Sequence, residues 1–141
     1  MREILFRAKR IDNGNWVEGD LRKDRDLKTD YISGWDYYAT EGGLERKPFE
    51  YEIEPETLCQ YTVKTDETGK KIYEKDIVGF IDLTSTESGY SEHSCVGEVV
   101  WDKEECCFHV TNRLSAESWE VLDECKVVGN VFDNPELLEG E

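Results

Sequence analysis

The cysteines and histidines are the residues whose types and spacing come closest to a chemical site in this chain. His93-x-Cys95 and Cys107-x-His109 each place a thiol and an imidazole two residues apart. On a β-strand this spacing puts both side chains on one face, and thiolates and imidazoles are common ligands of Zn²⁺. Structural zinc sites usually close with four ligands and spacings such as Cys-x₂-Cys, which the sequence lacks. We therefore predict no metal and no cofactor, with a Cys/His metal protein or enzyme as the alternative of another class.

A cysteine nucleophile needs a base beside it. His93 falls in a segment that we predict to be a loop. Cys107 and His109 share a strand face, but side chains two residues apart on a strand lie about 6–7 Å apart, and no third group is evident that would orient the imidazole. The 33 carboxylates are too numerous for any pair to be informative. We predict that the protein is not an enzyme, with no catalytic and no cofactor-binding residues.

The charge balance limits the possible partners. The 141 residues include 33 acidic and 17 basic ones, which gives a net charge of −16. Because nucleic-acid affinity comes mainly from neutralising phosphates, we expect no direct nucleic-acid binding. Solubility through self-repulsion explains such a charge, and antagonism of a basic host factor by mimicry of nucleic acid is an alternative. No apolar run approaches the roughly 20 residues that span a bilayer, and an odd number of cysteines, five, indicates reduced thiols. We expect a cytoplasmic protein without membrane contact.

The first half of the chain has the alternation of a β protein. Alternating apolar residues from Ile4 to Lys9, the turn Asp12–Asn15 and the return from Trp16 to Leu21 predict a hairpin. The following segments are assigned from their composition: a charged loop at Arg22–Asp30, a strand at Tyr31–Tyr38, an exposed loop at Thr40–Pro48, and a strand with Phe49, Tyr51 and Ile53 facing inward.

The second half begins with the pattern of a small β-barrel. A strand from Gln60, a turn over Thr65–Gly69, the pair Ile72-Tyr73 and the apolar run Ile77–Ile81 follow one another as in SH3-like barrels. The polar segment Asp82–Ser94 is expected to be a mobile loop.

A second hairpin is predicted over Val96–Val110, with its turn at Asp102–Glu105. In this register Trp101 opposes Cys106 and Val99 opposes Phe108, so that these four residues and Val110 share the core face. The rest of the chain is assigned as a short helix or an edge strand at Ser115–Leu122, a strand at Lys126–Phe132 and one helical turn at Asn134–Leu138.

These elements predict a mostly β fold with minor α content. An N-terminal β subdomain at residues 1–58 precedes an SH3-like β-barrel at 59–132, and a C-terminal helical turn with an acidic tail occupies 133–141. The aromatic residues Trp35, Tyr37, Tyr38 and Tyr73 have two interpretations. A small β domain needs aromatics for its core, whereas exposed aromatics are typical of interface centres. We take them as a possible interaction surface.

Five blocks of sequence carry a likeness to a known family. They are Arg2–Ala8 (REILFRA), Glu56–Thr62 (ETLCQYT), Thr68–Val78 (TGKKIYEKDIV), Gly97–Trp101 (GEVVW) and Val127–Leu138 (VVGNVFDNPELL). In these blocks the chain resembles the YopX family of phage and prophage proteins, and the last block is the most specific. The family pattern commonly has glycine where Cys59 and Lys75 stand, and a Gly-Leu pair in place of Val63-Lys64.

The resemblance implies an origin more than an activity. It implies a bacteriophage or prophage protein of a Gram-positive host lineage, which would work in the cytoplasm of the bacterial host and assemble as a homo-oligomer. The family offers no catalytic residues to transfer. We therefore predict a non-enzymatic accessory protein whose partner is itself or another phage or host protein.

Overall fold

The structure is a computed structural model, and it describes residues 2–112, 118–120 and 124–139. Its strands form two antiparallel sheets, which confirms the prediction of a mostly β protein. Within the described ranges, no helix combines the length and the apolar character needed to cross a membrane. The chain divides into two compact units, residues 1–61 and 62–141. The finer boundaries predicted after residues 58 and 132 stay predictions.

The first unit consists of antiparallel strands. The elements are β1 (Phe6–Lys9), β2 (Trp16–Asp24), β3 (Thr29–Thr40), β4 (Gly43–Glu52), a short 3₁₀ helix (Pro55–Thr57) and β5 (Cys59–Thr65). Strands β1 to β4 form a meander and β5 pairs with β1, which gives the strand order β4-β3-β2-β1-β5; β5 runs on into the second unit.

The predicted N-terminal hairpin is confirmed. Gly14 has a φ of +72° and its N–H donates to the carbonyl of Arg10 at 2.9 Å. This left-handed conformation is one that glycine adopts without steric penalty, which explains a tight turn at this point.

Two segments predicted as loops in this unit are mostly strand, so those predictions are wrong except at the turn residues 25–28 and 41–42. Arg22–Asp24 completes β2, and the connection to β3 is a turn in which Asp24 Oδ1 accepts the N–H groups of Asp26 and Leu27. Thr40–Pro48 contains a tight turn followed by most of β4. In both cases the charged composition reflects exposure of the strands to water on their faces, and exposure does not require irregular backbone.

The core of the first unit is small. Ala8, Ile32 and Ile53 are at most 1% exposed. The predicted inward side of β4 is confirmed, because Phe49 packs against this core and Ile53 belongs to it. The remaining side chains around it are Phe6, Val17, Leu21 and Leu58.

The second unit is built on long strands. After β5 come β6 (Lys71–Tyr73), β7 (Asp76–Thr86), β8 (Gly89–Asp102), β9 (Cys107–Thr111), β10 (Ser118–Glu120), β11 (Lys126–Asn130) and a 3₁₀ helix (Pro135–Leu138). Five of these strands form a sheet in the order β10-β9-β8-β7-β11. Among the described residues no pairing joins the two edge strands, so the sheet is open and the SH3-like barrel is not confirmed. The predicted C-terminal helical turn is present at Pro135–Leu138.

The prediction of a mobile loop at Asp82–Ser94 is wrong. β7 and β8 pair continuously from Ile77↔Glu98 to Thr86↔Gly89, and Gly89 has a φ of +126° at the turn. Serine and threonine are compatible with an extended backbone, and their polarity here accompanies a hairpin that continues past the apolar core.

The second predicted hairpin exists, but its register is shifted by two residues. Trp101 pairs with Phe108 and Val99 pairs with Val110. The turn keeps the predicted length of four residues but lies one position later, at 103–106, where Asp102 Oδ1 accepts the N–H groups of Glu104 and Glu105 and Cys106 takes a left-handed φ of +56°. Val99 and Val110 are buried as predicted, whereas Trp101 is 49% exposed and Cys106 is exposed. Of Ser115–Leu122, only 118–120 lies in the described residues, and it is an edge strand on β9.

The side chain of Asp66 links the turn after β5 to β11 through hydrogen bonds. Its Oδ1 accepts the N–H and hydroxyl of Thr68 at 2.9 and 2.7 Å and the N–H of Lys70 at 3.0 Å. Its Oδ2 accepts the N–H of Val127 at 2.9 Å. The side chain is only 5% exposed, so this buried carboxylate stabilises the turn through four donors. The neighbouring core contains Ile72, Val78, Val99, Val110 and Cys125.

Candidate functional site

The outer halves of β3 and β4 form a ribbon of only two strands. β2 pairs with β3 over Thr29–Ser33, whereas β3 and β4 remain paired from Gly34↔Phe49 to Thr40↔Gly43. In the described chain, β4 is therefore the only pairing partner of β3 beyond Ser33. We call residues 34–49 the aromatic hairpin. Residues 35–48 are exposed on both strands, so both faces of this part of the hairpin are open to water.

One face of the aromatic hairpin is apolar. Trp35, Tyr37 and Leu44 are 47%, 62% and 72% exposed. The register places them on one face, because residues that alternate along a strand and residues directly opposite each other across strands point the same way. The guanidinium of Arg46 lies 4.0 Å from the centre of the Trp35 ring on this same face. The surface thus combines large aromatic area with one cation, the composition found at interface hot spots.

The opposite face of the aromatic hairpin is more polar. Tyr38 is 46% exposed, and its hydroxyl donates to the carboxylate of Glu45 at 3.2 Å. The structure thus brings three of the four aromatic residues predicted as an interaction surface into one hairpin. The fourth, Tyr73, is 2% exposed in the second unit and lies outside this surface. Leu44 and Arg46 were missed, because their segment was predicted to be a loop.

Cys107 and His109 lie closer together than the strand spacing indicates. Cys107 Sγ is 3.1 Å from His109 Nε2, against the expected separation of about 6–7 Å, which refers to the backbone repeat. The predicted absence of an orienting group is also wrong, since His109 Nδ1 lies 3.4 Å from Asp102 Oδ2. Together with Glu105 these residues form a cluster at the turn between β8 and β9. The sequence signal for it is Asp-x₄-Cys-x-His spanning one hairpin turn.

Comparison with known proteins adds a family and a fold. No curated protein matches the chain. Among solved structures, the chain is similar to protein EF1440 from Enterococcus faecalis, with a TM-score of 0.56 and 19% identity over 98% of this chain and 99% of that one. At this identity the likeness concerns the fold alone. The YopX protein family model matches residues 5–139, nearly the whole length. The chain therefore belongs to the YopX family.

Proposed function

We propose that this protein is a non-enzymatic phage or prophage accessory protein that works by protein–protein contact in the bacterial cytoplasm, first of all with a second copy of itself. The observation that carries the proposal is the exposed apolar face of the aromatic hairpin. Family membership supports the phage origin through the resemblance described above. Contiguous exposed aromatic side chains on a small domain are a common mark of an interaction site.

Charge favours a second copy as the occupant of this face. Two chains of net charge −16 repel each other, and the repulsion is least where the local charge is small. Residues 34–49 contain three acidic and two basic residues, so the aromatic hairpin is close to neutral. The outward edge of β4, the last strand of its sheet, also offers backbone groups for strand addition.

The size of the hairpin indicates a weak complex. Its seven residue pairs span about 24 Å at roughly 3.4 Å per residue. Two strands are about 10 Å wide, so one face buries well under the roughly 800 Å² per partner of a standard interface. We expect a dissociation constant in the micromolar range or above.

Sedimentation velocity over a wide concentration range tests the proposal. Wild type should shift from monomer towards dimer, and Trp35→Ala should need at least about ten-fold more protein for the same shift, since one central aromatic residue contributes about 1.4 kcal/mol or more. Tyr38→Ala is the matched control, because it removes an aromatic ring from the opposite face of the same hairpin. A wild type that stays monomeric, or equal effects of the two variants, would contradict the proposal.

A second candidate is antagonism of a basic host factor, and the distribution of charge favours it. Residues 62–141 contain 19 acidic and seven basic residues, whereas residues 1–61 contain 14 and ten. The second unit thus carries most of the net charge. The test is capture of host proteins on the full-length chain at low and high salt, followed by elution with duplex DNA. A basic partner released by both salt and DNA supports the mimic. Capture that resists salt and depends on Trp35 supports the aromatic hairpin instead.

A further inference from the structure

The cluster at the β8–β9 turn has a donor set suited to a metal ion. One ligand atom each of Glu105, Cys107 and His109 lie within 4.8 Å of one another. In a tetrahedral zinc site, bond lengths of about 2.0–2.3 Å separate neighbouring ligand atoms by roughly 3.3–3.8 Å. The separation of 3.1 Å between Cys107 Sγ and His109 Nε2 is within a few tenths of an ångström of that requirement. Small side-chain rotations are enough to admit an ion.

The orientation of the imidazole is the second, independent observation. Asp102 Oδ1 accepts the turn N–H groups of Glu104 and Glu105, at 2.9 and 3.2 Å, and this fixes the carboxylate. Its Oδ2 then faces His109 Nδ1 at 3.4 Å. In the tautomer with the proton on Nδ1, this proton points towards the oxygen, and Nε2, which faces Cys107 Sγ, has its lone pair available for a metal. Metal-binding histidines have this same support from a carboxylate on the other ring nitrogen.

The backbone of the turn explains why these groups meet. Cys107 and His109 lie on one face of β9, and Asp102 is the residue directly opposite Cys107 in the ladder. The left-handed Cys106 separates Glu105 from β9 and belongs to the exposed turn. His109 and Asp102 are 19% and 31% exposed, so an ion can reach the cluster from water while part of its surroundings is protein.

We propose that Glu105, Cys107 and His109 bind a divalent cation of the zinc class, with Asp102 as the positioning residue for His109. A thiolate, an imidazole and a carboxylate favour Zn²⁺ over Ca²⁺ or Mg²⁺, which prefer oxygen ligands throughout. Three protein ligands leave a fourth position for water or for a ligand from another molecule. This departs from the prediction of no metal, which rested on the absence of Cys-x₂-Cys.

Titration of the reduced, full-length protein with Co²⁺ and then Zn²⁺ tests the proposal. We expect one equivalent of Co²⁺ to give thiolate-to-metal charge transfer and the strong visible bands of a tetrahedral ion, and Zn²⁺ to displace it. Cys107→Ser and His109→Asn should each lower the affinity by at least about ten-fold. Cys106→Ser, which removes the neighbouring thiol outside the cluster, should leave it unchanged. Circular dichroism of each variant shows that loss of binding is not loss of fold.

Asp102→Asn separates positioning from ligation. The asparagine keeps an oxygen for the turn N–H groups but presents an amide to Nδ1, so the affinity should fall by about 10–100-fold while one-to-one stoichiometry and the charge-transfer band remain. Absence of the charge-transfer band in wild type overturns the proposal. So does a Cys107→Ser variant that binds as wild type does, or a larger loss from Cys106→Ser than from Cys107→Ser.

Discussion

Replacement of Asp66 by asparagine tests how the second unit is held together. The carboxylate accepts three hydrogen bonds on Oδ1, from Thr68 and Lys70, and one on Oδ2, from Val127. Asparagine has the same shape but only one acceptor oxygen. If that oxygen stays in the turn, the amide group meets the N–H of Val127, and two donors then face each other.

The magnitude follows from this count. The variant loses the bond to Val127, leaves its buried N–H without an acceptor, and removes the negative charge that strengthens the three remaining bonds. A hydrogen bond to a charged group contributes about 1.5–3 kcal/mol, and an unsatisfied buried donor costs about 1–3 kcal/mol. Because these contributions overlap, we expect the free energy of unfolding of the second unit to fall by about 2–4 kcal/mol at pH 7.

The effect of Asp66 depends on pH. Burial raises the pKa of its carboxyl, but the hydrogen bonds from Thr68, Val127 and Lys70 outweigh burial and hold the pKa well below the ordinary value of 3.8. A carboxyl whose pKa is lowered by folding stabilises the protein fully above its unfolded pKa and loses that contribution as the pH falls towards the folded pKa. The difference between wild type and Asp66→Asn should therefore be constant above about pH 5 and shrink below about pH 4.

Urea unfolding between pH 7 and pH 3 gives the measurement, followed through NMR amide signals of β7 and β11 so that the second unit is observed by itself. Glu67→Gln is the control, since it neutralises an exposed neighbouring carboxylate and should change stability by no more than about 0.5 kcal/mol. The reasoning is refuted if Asp66→Asn behaves like this control at pH 7. A difference between wild type and Asp66→Asn that stays the same down to pH 3 refutes the part that concerns the charge.

Two further predictions concern backbone positions. Val63 has a φ of +76°, which is strained for a β-branched residue, so Val63→Gly should raise the free energy of unfolding by about 1 kcal/mol in urea denaturation; no gain would show that the strain is absent. A Cβ on Gly97 would lie 2.5 Å from Val110 Cγ1 and 2.9 Å from the carbonyl oxygen of Thr111. Gly97→Ala should therefore lower the free energy of unfolding by about 2 kcal/mol or more. Gly79→Ala is the matched control, with nothing closer than 3.7 Å, and an equal loss in both variants would contradict the argument.

The sequence was sufficient for elements whose signals are local. The turns at Gly14 and Gly69 and the inward side of β4 follow from turn chemistry and alternation, which depend on a few neighbouring residues. The predictions of loops at Arg22–Asp30, Thr40–Pro48 and Asp82–Ser94 were largely wrong, and for a common reason. The polar composition of these segments reflects exposure to water, as it does at residues 22–23, 41–48 and 87–90, and long hairpins can have exposed strands.

The register predicted for the β8–β9 hairpin was wrong because of one residue. Cys106 is in the left-handed region, where a non-glycine residue is uncommon, so it belongs to the turn instead of pairing with Trp101. The four-residue turn therefore lies one position later than predicted, and every pair shifts by two residues. The same error hid the candidate metal cluster, because the wrong register does not place Asp102 opposite Cys107. Similarly, the exposure of Trp35 and Tyr37 depends on where the pairing of β2 with β3 stops, which no local pattern encodes.

The aromatic hairpin and the metal cluster lie in different units. Both can nevertheless affect dimerisation, because a three-ligand zinc site leaves a fourth position open. If a carboxylate or imidazole of a second chain fills that position, zinc itself promotes association. Dimerisation should then have a zinc-dependent part that Cys107→Ser abolishes and a zinc-independent part that Trp35→Ala weakens. Sedimentation of both variants with Zn²⁺ and with chelator separates the two. If Trp35→Ala acts only when zinc is present, the aromatic hairpin is not an interface in its own right, and the contact belongs to the metal.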